Sequence, residues 1–266
     1  MAKVALITGG ASGIGLATAQ LFASKGWTVA IADLNESAGN KYAAELKGSF
    51  HKTNVTDYDN LAQTFVQVWK KYGRLDMVYA NAGIVEKVNF YEEYKSDDDG
   101  LPPRLDDVVL DINLRSVVWT AHLALHFFRK NQDKPGGSLV ITASTGGLYA
   151  TPLLPMYAAA KFGCVGLVRS LAVYLEGTGI RVNCVCPGAV ATGLLKKEEW
   201  AKFPQDTMTP VENVAKAVAK LVEDESLTGK SLMVVQDRLT IIDNPEPSDP
   251  ALHGMMSRDN KFKDGM

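Results

Sequence analysis

The stretch "VALITGGASGIG", Val4 to Gly15, places a short apolar run directly before four glycines. A glycine inside a regular element costs about 0.5–1 kcal/mol of folding free energy relative to alanine. The cluster therefore indicates that side chains would not fit along this part of the backbone. A run with helical periodicity follows, in which Ile14, Ala17 and Leu21 share one face. A strand, a glycine turn and a helix N-terminus present N–H groups and the positive end of the helix dipole, which together suit a pyrophosphate.

The spacing of the glycines is a weaker signal than the order of the elements. Gly9, Gly13 and Gly15 follow the pattern Gly-x-x-x-Gly-x-Gly, which differs from the Gly-x-Gly-x-x-Gly of the usual dinucleotide fingerprint. No Lys-Ser or Lys-Thr pair follows, as a nucleoside triphosphate loop would require. A glycine turn that only connects a strand to a helix stays open as an alternative.

The rest of the chain alternates short apolar runs with longer segments of helical period, which predicts an α/β fold with a doubly wound parallel sheet flanked by helices. The predicted strands lie near 3–8, 27–32, 49–53, 75–79, 138–143, 180–185 and 231–235. The predicted helices lie near 14–25, 36–47, 58–72, 106–130, 156–176 and 210–223.

These elements predict one catalytic domain over residues 1–240, followed by a C-terminal tail over 241–266. The polar, acidic segment 85–104 is too long for a simple connection, so it is either a functional lid or a solvated insert. A second long loop, near 188–209, is expected to border the substrate. The composition of the tail favours extended or disordered chain, and no function is assigned to it.

Composition excludes several classes of function. The chain has 266 residues, 46% of them hydrophobic, and a formal net charge of −2, which argues against a nucleic-acid partner. Cys164, Cys184 and Cys186 form no Cys-x-x-Cys pair, so they predict neither a disulfide framework nor a zinc site and favour a reducing cytoplasm. The longest apolar stretch, Val108 to Phe128, contains charged and polar residues, and we expect neither a signal peptide nor a membrane span.

Asp33 ends the second predicted strand, "WTVAIAD", 20 residues after Gly13. At that separation a carboxylate meets the ribose hydroxyls in the adenosine half of a dinucleotide. A 2′-phosphate there would be repelled by roughly 4 kcal/mol at about 4 Å and an effective dielectric constant near 20. The glycine loop supplies no basic residue, so the sequence predicts NAD as the cofactor. The alternative is that Asp33 caps the helix that begins near Asn35, and the two roles are compatible.

A second group of residues follows the predicted strand "SLVITAS", which delivers Ser144 to its carboxyl end. The motif "YAAAK" begins 13 residues later, and Tyr157 and Lys161 share one helix face because they are four residues apart. A phenol is a poor base at neutral pH, but an ammonium at about 4 Å stabilises the phenolate by roughly 4 kcal/mol. An isolated Tyr-x-x-x-Lys pair also occurs on exposed amphipathic helices. The pair alone therefore does not decide between a catalytic role and a solvent-exposed helix face.

The motifs taken together are more specific than any one of them. "TGGASGIG", "NAG" at Asn81 to Gly83, "INL" around Asn113, Ser144, "YAAAK" and "PGAVAT" at Pro187 to Thr192 follow one another along the chain. In this order and at these spacings they resemble the classical short-chain dehydrogenase/reductase family over roughly residues 2 to 235. The resemblance implies a single-domain Rossmann-type fold.

The same resemblance implies the site residues. The catalytic set is Asn113, Ser144, Tyr157 and Lys161. The cofactor-binding set is Gly9, Ser12, Gly13, Ile14, Gly15, Asp33, Asp57, Asn81, Gly83, Tyr157, Lys161, Pro187, Val190 and Thr192. No metal is expected: His122 and His126 have the spacing of a ligand pair, but they lie in "AHLALHFF" with no nearby carboxylate.

In such an enzyme Tyr157 takes the proton of an alcohol while hydride passes from the same carbon to the nicotinamide. The resemblance implies that Ser144 holds the alcohol oxygen, that Lys161 also binds the nicotinamide ribose, and that Asn113 holds a water of the proton relay. The sequence therefore predicts an NAD-dependent dehydrogenase that oxidises a secondary alcohol on a fairly apolar small molecule to the ketone. The alternatives are a ketone reductase, a non-redox family member, and a protein that binds NAD without turnover.

Segments towards the C-terminus resemble particular groups within this family. "LLKKEEW" and "VAKAVAKLVEDESLTGKSLMVV" are similar to the NAD-dependent 15-hydroxyprostaglandin dehydrogenase group, and a fungal-type secondary-metabolite alcohol dehydrogenase fits the same residues. The last predicted strand lacks the Asp-Gly-Gly ending common in the family. Family members usually pair through the helices that contain Asn113 and Tyr157, so a homodimer or homotetramer is expected.

Overall fold

The computed structural model describes residues 2–93, 101–132, 135–246, 249 and 256. Its centre is a sheet of eight strands in the order β3-β2-β1-β4-β5-β6-β7-β8, in which β1 to β7 are parallel and β8 pairs antiparallel with β7. The strands are β1 Val4–Thr8, β2 Thr28–Asp33, β3 Ser49–Lys52, β4 Met77–Ala80, β5 Gly137–Thr142, β6 Ile180–Pro187, β7 Ser231–Val235 and β8 Arg238–Ile242. The α/β fold predicted from the sequence is confirmed.

Helices cover both faces of this sheet. They are α1 Gly13–Ser24, α2 Glu36–Glu45, α3 Tyr58–Tyr72, α4 Val108–Leu110, α5 Ser116–Phe128, α6 Pro155–Leu175, α7 Lys197–Trp200 and α8 Val211–Glu223. A π-helical turn, Asp111–Arg115, joins α4 to α5, and two 3-10 turns lie at Thr145–Gly147 and Gln205–Thr207. Most predicted bounds differ from these by one or two residues.

The alternation of side chains along β1 shows how the two layers are built. Val4 and Leu6 point into the core under α3, α5 and α6, whereas Ala5 and Ile7 point into the core under α1, α2 and α8. Every residue of this strand is buried because both faces are covered, and this is why the sequence shows a continuous apolar run there.

The order of the strands reverses at β1, which pairs with β2 on one side and with β4 on the other. The connections after β1 and after β4 therefore leave the sheet in opposite directions and open a crevice at the carboxyl ends of the strands. The glycine turn follows β1 at this edge, so the fold itself brings the predicted phosphate loop to the position where open α/β sheets bind ligands.

Two elements differ from the sequence prediction. The helix expected over 106–130 is interrupted by the π-helical turn, which adds a residue to one turn and so shifts the register of α5. The edge strand β8 was not predicted: a two-residue turn, in which Gln236 has φ +58°, folds it back onto β7. It extends to Ile242, two residues past the predicted end of the catalytic domain.

Parts of three predicted segments lie outside the described residues: 94–100 of the 85–104 insert, 133–134 before β5, and all of the tail after 246 except 249 and 256. Within the described chain, Val108–Phe128 and Pro155–Leu175 are long and apolar enough to cross a membrane by length and composition alone. Both stretches pack against the sheet, and the core helices of a soluble protein commonly pass the same test.

Candidate active site

The glycine loop after β1 has a conformation and a crowding that side chains would not tolerate. Gly9 and Gly13 have φ of +62° and +49°, in the left-handed region that favours glycine. A Cβ on Gly15 would lie 2.1 Å from the Gly9 carbonyl oxygen, and one on Gly9 would lie 2.9 Å from Ala82 Cα. The loop therefore packs backbone on backbone and leaves its outer side open for a phosphate.

The start of α1 at this loop suits an anion. Ser12 is the N-cap residue, but within the described chain its side chain makes no capping hydrogen bond, and the first turn carries no acidic residue. The N-terminal N–H groups of α1 thus keep their positive field, which a pyrophosphate can satisfy. Ile14 is half-buried behind the turn, and its carbonyl accepts a hydrogen bond of 2.8 Å from the Thr18 hydroxyl.

The segment after β6 reaches the same loop from the other side. Pro187 ends β6, Val190 is buried, and the Thr192 side chain lies over Gly13, where a Cβ would meet its Cγ2 at 2.9 Å. The indole Nε1 of Trp200, on α7, donates a 2.8 Å hydrogen bond to the Thr192 carbonyl. The hydrogen bond joins two parts of the predicted substrate loop, and the Thr192 side chain brings this loop against Gly13 of the predicted cofactor loop.

Asp33 lies at the carboxyl end of β2 with both of its carboxylate oxygens engaged. Oδ2 accepts a 3.0 Å hydrogen bond from the Ala11 N–H of the glycine loop, and Oδ1 accepts a 2.9 Å bond from the Asn35 N–H. The N-cap residue of α2 is Asn35, whose side chain accepts from the Ala38 N–H, so the capping role considered for Asp33 belongs to Asn35.

Asn81 connects β1, β4 and β5 behind the glycine loop. Its Nδ2 donates to the carbonyl oxygens of Thr8 and Gly9, each at 3.2 Å, and its Oδ1 lies 3.1 Å from the Thr142 hydroxyl. Asp57, another residue of the predicted cofactor-binding set, is an exposed N-cap of α3 that accepts a 3.0 Å bond from the Asn60 N–H.

Asn113 is fully buried in the π-helical turn between α4 and α5. Its amide is paired with the backbone of Ile84: Nδ2 donates to the carbonyl at 2.7 Å and Oδ1 accepts from the N–H at 2.9 Å. Gly83 adjoins this pair, since a Cβ there would lie 3.2 Å from Asn113 Oδ1 and 3.7 Å from Lys161 Nζ. The segment after "NAG" thus lies between two of the predicted catalytic residues.

Tyr157 and Lys161 lie in the first two turns of α6, and their side chains face each other. Lys161 Nζ is 5.5 Å from the centre of the Tyr157 ring and donates a 2.7 Å hydrogen bond to the Thr142 carbonyl. Lys161 is only 3% exposed, whereas the Tyr157 side chain is half-buried and keeps access to solvent. The structure thus places a buried amine beside an accessible phenol, as the motif "YAAAK" predicts.

Ser144 follows β5 and begins the 3-10 turn, where its Oγ accepts a 3.0 Å bond from the Gly146 N–H. Gly146 separates it from the phenol: a Cβ there would lie 3.6 Å from Ser144 Oγ and 3.5 Å from Tyr157 Cε1. A second tyrosine, Tyr79 on β4, is fully buried, and burial raises the pKa of its phenol well above the usual range. Only Tyr157 of these two can therefore meet a substrate.

Glu86 is the site residue that the sequence analysis missed. Its Oε2 accepts a 2.5 Å hydrogen bond from the Tyr157 backbone N–H, although the residue is only 8% exposed. No motif marks it, because the contact joins residues 71 positions apart. The only feature of the sequence that points to Glu86 is its position directly after "NAGIV", where the chain is expected to pass close to the site.

The loop between β6 and α8 lines an open surface pocket of about 690 Å³. Its lining includes Trp200, Met208 and Val211, together with Lys197, and none of the predicted catalytic residues. An accessible phenol beside a buried ammonium, a hydroxyl next to it and a bare glycine loop are the parts that proton and hydride transfer with a dinucleotide requires. The fold and the site together define a dinucleotide-dependent oxidoreductase.

Comparisons with known proteins agree with this class. The family described as short chain dehydrogenase matches residues 3–202, and the chain belongs to that family. It is therefore an oxidoreductase that uses a nicotinamide cofactor and acts on a small molecule.

Similar proteins occur in fungi, animals and bacteria. The chain is 42% identical over 225 residues to short-chain dehydrogenase/reductase prx7 of Penicillium rubens, covering 82% of this chain and 80% of that protein. It is 32% identical over 260 residues to the 15-hydroxyprostaglandin dehydrogenase [NAD(+)] of Bos taurus, covering 89% and 92%. The crystal structure of 3-ketoacyl-(acyl-carrier-protein) reductase from Brucella melitensis complexed with NADH superposes with a TM-score of 0.76 at 26% identity, covering 88% of this chain and 96% of that one.

Proposed function

We propose that this protein is an NAD-dependent dehydrogenase that oxidises a secondary alcohol on a fairly apolar small molecule to the ketone. The observation that carries the choice of cofactor is the Asp33 carboxylate, which hydrogen bonds with Ala11 and Asn35 hold at the end of β2. A carboxylate held there can accept hydrogen bonds from ribose hydroxyls and repels a 2′-phosphate. The bare glycine loop supports the placement of the pyrophosphate beside it.

The reaction follows from the positions of the side chains around Tyr157. The bound nicotinamide supplies the acceptor for hydride. Tyr157 Oη takes the proton from the alcohol oxygen, and the Ser144 hydroxyl holds that oxygen by a hydrogen bond. Lys161, anchored on the Thr142 carbonyl, holds its Nζ 5.5 Å from the centre of the phenol ring that takes the proton.

Asn113 contributes through the backbone that it organises. Its amide holds Ile84 by two hydrogen bonds, so the "NAG" segment behind the predicted nicotinamide site keeps a fixed shape. We propose that Asn113 also holds a water that returns the proton from Lys161 to solvent.

The substrate class rests on the relatives. One of them is named 15-hydroxyprostaglandin dehydrogenase [NAD(+)], and its name supports an apolar secondary alcohol. The fungal relative with 42% identity is named as a short-chain dehydrogenase/reductase, and its name gives no substrate. We therefore propose a bulky apolar secondary alcohol as the substrate.

A reductase is the second candidate, because one similar solved structure is a ketoacyl reductase with NADH bound. The same groups then work in reverse, with Tyr157 donating the proton to the ketone oxygen. Assays with cyclohexanol, menthol, borneol and a 15-hydroxyprostaglandin in the presence of NAD, and with the matching ketones in the presence of NADH, measure the two directions.

The choice of cofactor is tested by Asp33→Asn, with titration of NADH and NADPH followed by nicotinamide fluorescence. We expect the parent protein to bind NADH about 10- to 100-fold more tightly than NADPH, and the substitution to remove most of that preference because it removes the charge. Glu36→Gln is the matched control: it neutralises an exposed carboxylate in the first turn of α2 and should leave the preference unchanged. A parent protein that binds NADPH as tightly as NADH would contradict the assignment.

We also propose that the protein is a cytoplasmic homodimer or homotetramer. Two apolar residues, Val118 on α5 and Phe162 on α6, are 42% and 47% exposed to solvent. A second copy of the chain could cover them. The buried thiols of Cys164, Cys184 and Cys186 are free, although the last two Sγ atoms are only 3.9 Å apart, and free thiols fit a reducing compartment.

A further inference from the structure

Glu86 brings a carboxylate to the N-terminus of α6, the helix that carries Tyr157 and Lys161. The N-cap residue of this helix, Leu154, has no side-chain group to offer, and Pro155 has no N–H. The Tyr157 N–H is instead satisfied by Glu86 Oε2 at 2.5 Å. A charged acceptor makes this hydrogen bond shorter and stronger than a neutral acceptor would, and it complements the helix dipole.

The other end of the same segment is also fixed. Ile84, two residues before Glu86, is held through both its N–H and its carbonyl by the Asn113 amide. The stretch from Ile84 to Glu86 therefore connects the π-helical turn directly to the backbone of Tyr157. A displacement at either end is transmitted to the residue that is proposed to move the proton.

The second oxygen of Glu86 reduces what this carboxylate contributes to the stability of the fold. Oε1 is buried and has no hydrogen-bond partner among the described residues, and an unsatisfied buried carboxylate oxygen is unfavourable. A neutral cap on α6 would satisfy the Tyr157 N–H without this penalty. A polar group kept in such a position at a functional site is more consistent with a role in geometry than in folding.

We propose that Glu86 is a positioning residue for Tyr157: its carboxylate holds the first turn of α6 so that the phenol stays against Ser144 and the substrate oxygen. This inference rests on the role proposed above for Tyr157. Loss of the carboxylate removes none of the side chains of Tyr157, Lys161 and Ser144. It removes the hydrogen bond that holds the first turn of α6, so the phenol is no longer kept in position. The proton transfer then slows while the cofactor still binds.

The test compares Glu86→Ala, which removes the acceptor, with Glu86→Gln, which keeps an oxygen for the Tyr157 N–H and removes the charge. With NAD and the most active alcohol of the panel, we expect kcat of Glu86→Ala to fall about 10- to 100-fold, since small misplacements of catalytic groups have effects of that size. The KM for NAD should change by less than about threefold, and Glu86→Gln should recover most of the lost kcat because one neutral hydrogen bond is retained.

Asp76→Ala is the matched structural control. Its carboxylate also accepts a backbone hydrogen bond, from the Val4 N–H at 2.8 Å, but it lies where β1 and β4 begin, at the opposite edge of the sheet from the site. We expect this variant to lower the melting temperature and leave kcat unchanged when assayed well below that temperature. Hydrogen exchange should show faster exchange of the Tyr157 amide in Glu86→Ala and not in Asp76→Ala.

Three outcomes distinguish failure of the positioning role of Glu86 from failure of the proposed function. A kcat for Glu86→Ala within twofold of the parent value, with Tyr157→Phe inactive, would overturn the positioning role and leave the proposed function standing. A fall in kcat that Glu86→Gln does not recover would also overturn it, because the charge and not the hydrogen bond would then matter. Full activity of Tyr157→Phe would reject the proposed function itself.

Discussion

Tyr157→Phe should lower kcat for alcohol oxidation about 10²- to 10⁴-fold, the range usual for removal of a positioned acid or base. The substitution deletes only the phenol oxygen, so the ring keeps its place near Lys161 Nζ, 5.5 Å from the ring centre. The hydrogen bond from the Tyr157 N–H to Glu86 also survives because it involves the backbone. We therefore expect the affinity for NADH and the melting temperature to stay close to the parent values.

Tyr72→Phe is the control for this prediction. Tyr72 ends α3 and lies towards the edge of the sheet where the strands begin, so loss of its hydroxyl should leave kcat unchanged. Steady-state kinetics with NAD, together with NADH titration, separate a lost proton transfer from lost cofactor binding. A Tyr157→Phe variant that keeps kcat within threefold would exclude this phenol as the base.

Gly15→Ala adds one methyl group to the predicted cofactor site and should lower both stability and NADH affinity. The added Cβ would lie 2.1 Å from the Gly9 carbonyl oxygen and 2.7 Å from Asn81 Nδ2, and the backbone contact cannot be relieved by a side-chain rotation. Either the turn opens or α1 moves away from β1, and both displace the N–H groups that face the phosphate. We expect a loss of unfolding free energy of about 1–3 kcal/mol and a fall in NADH affinity of at least about 100-fold.

Ser12→Ala is the matched control for the stability part of this prediction. Ser12 lies in the same loop, but its hydroxyl makes no capping hydrogen bond within the described chain, so its loss should leave the melting temperature nearly unchanged. Thermal unfolding and fluorescence titration with NADH measure the two effects separately. If Gly15→Ala bound NADH like the parent protein, the tight backbone contact would have no role in cofactor binding.

The parts of the fold that could be predicted are those set by local pattern. The glycine turn was predictable because strand, turn and helix follow one another within a few residues, and only glycine fits the crowding that the structure shows at Gly15. Asp33 was predictable for a similar reason, since its distance from the glycines is fixed by one helix and one strand. The strands of the centre of the sheet are continuous apolar runs because both faces are covered.

The parts that could not be predicted depend on contacts distant in sequence or on weak local signals. The turn before β8 has Gln236 and Asp237 in place of the Asn-Gly or Asp-Gly that mark most two-residue hairpins, and this edge strand is largely exposed. The π-helical turn changes the helix register without changing composition. Glu86 reaches Tyr157 across 71 positions, two residues after the Ile84 backbone that Asn113 holds, and no sequence periodicity reports such a contact.

Transfer of deuterium from carbon to cofactor is the measurement that tests the central claim most directly. The protein is incubated with NAD and the most active alcohol of the panel carrying deuterium on its carbinol carbon, and the reduced cofactor is analysed by mass spectrometry. If Tyr157 deprotonates a secondary alcohol while hydride leaves the same carbon, NADH gains one deuterium, and Tyr157→Phe nearly abolishes that product. NADH without deuterium, or no NADH from any alcohol of the panel, would contradict the account.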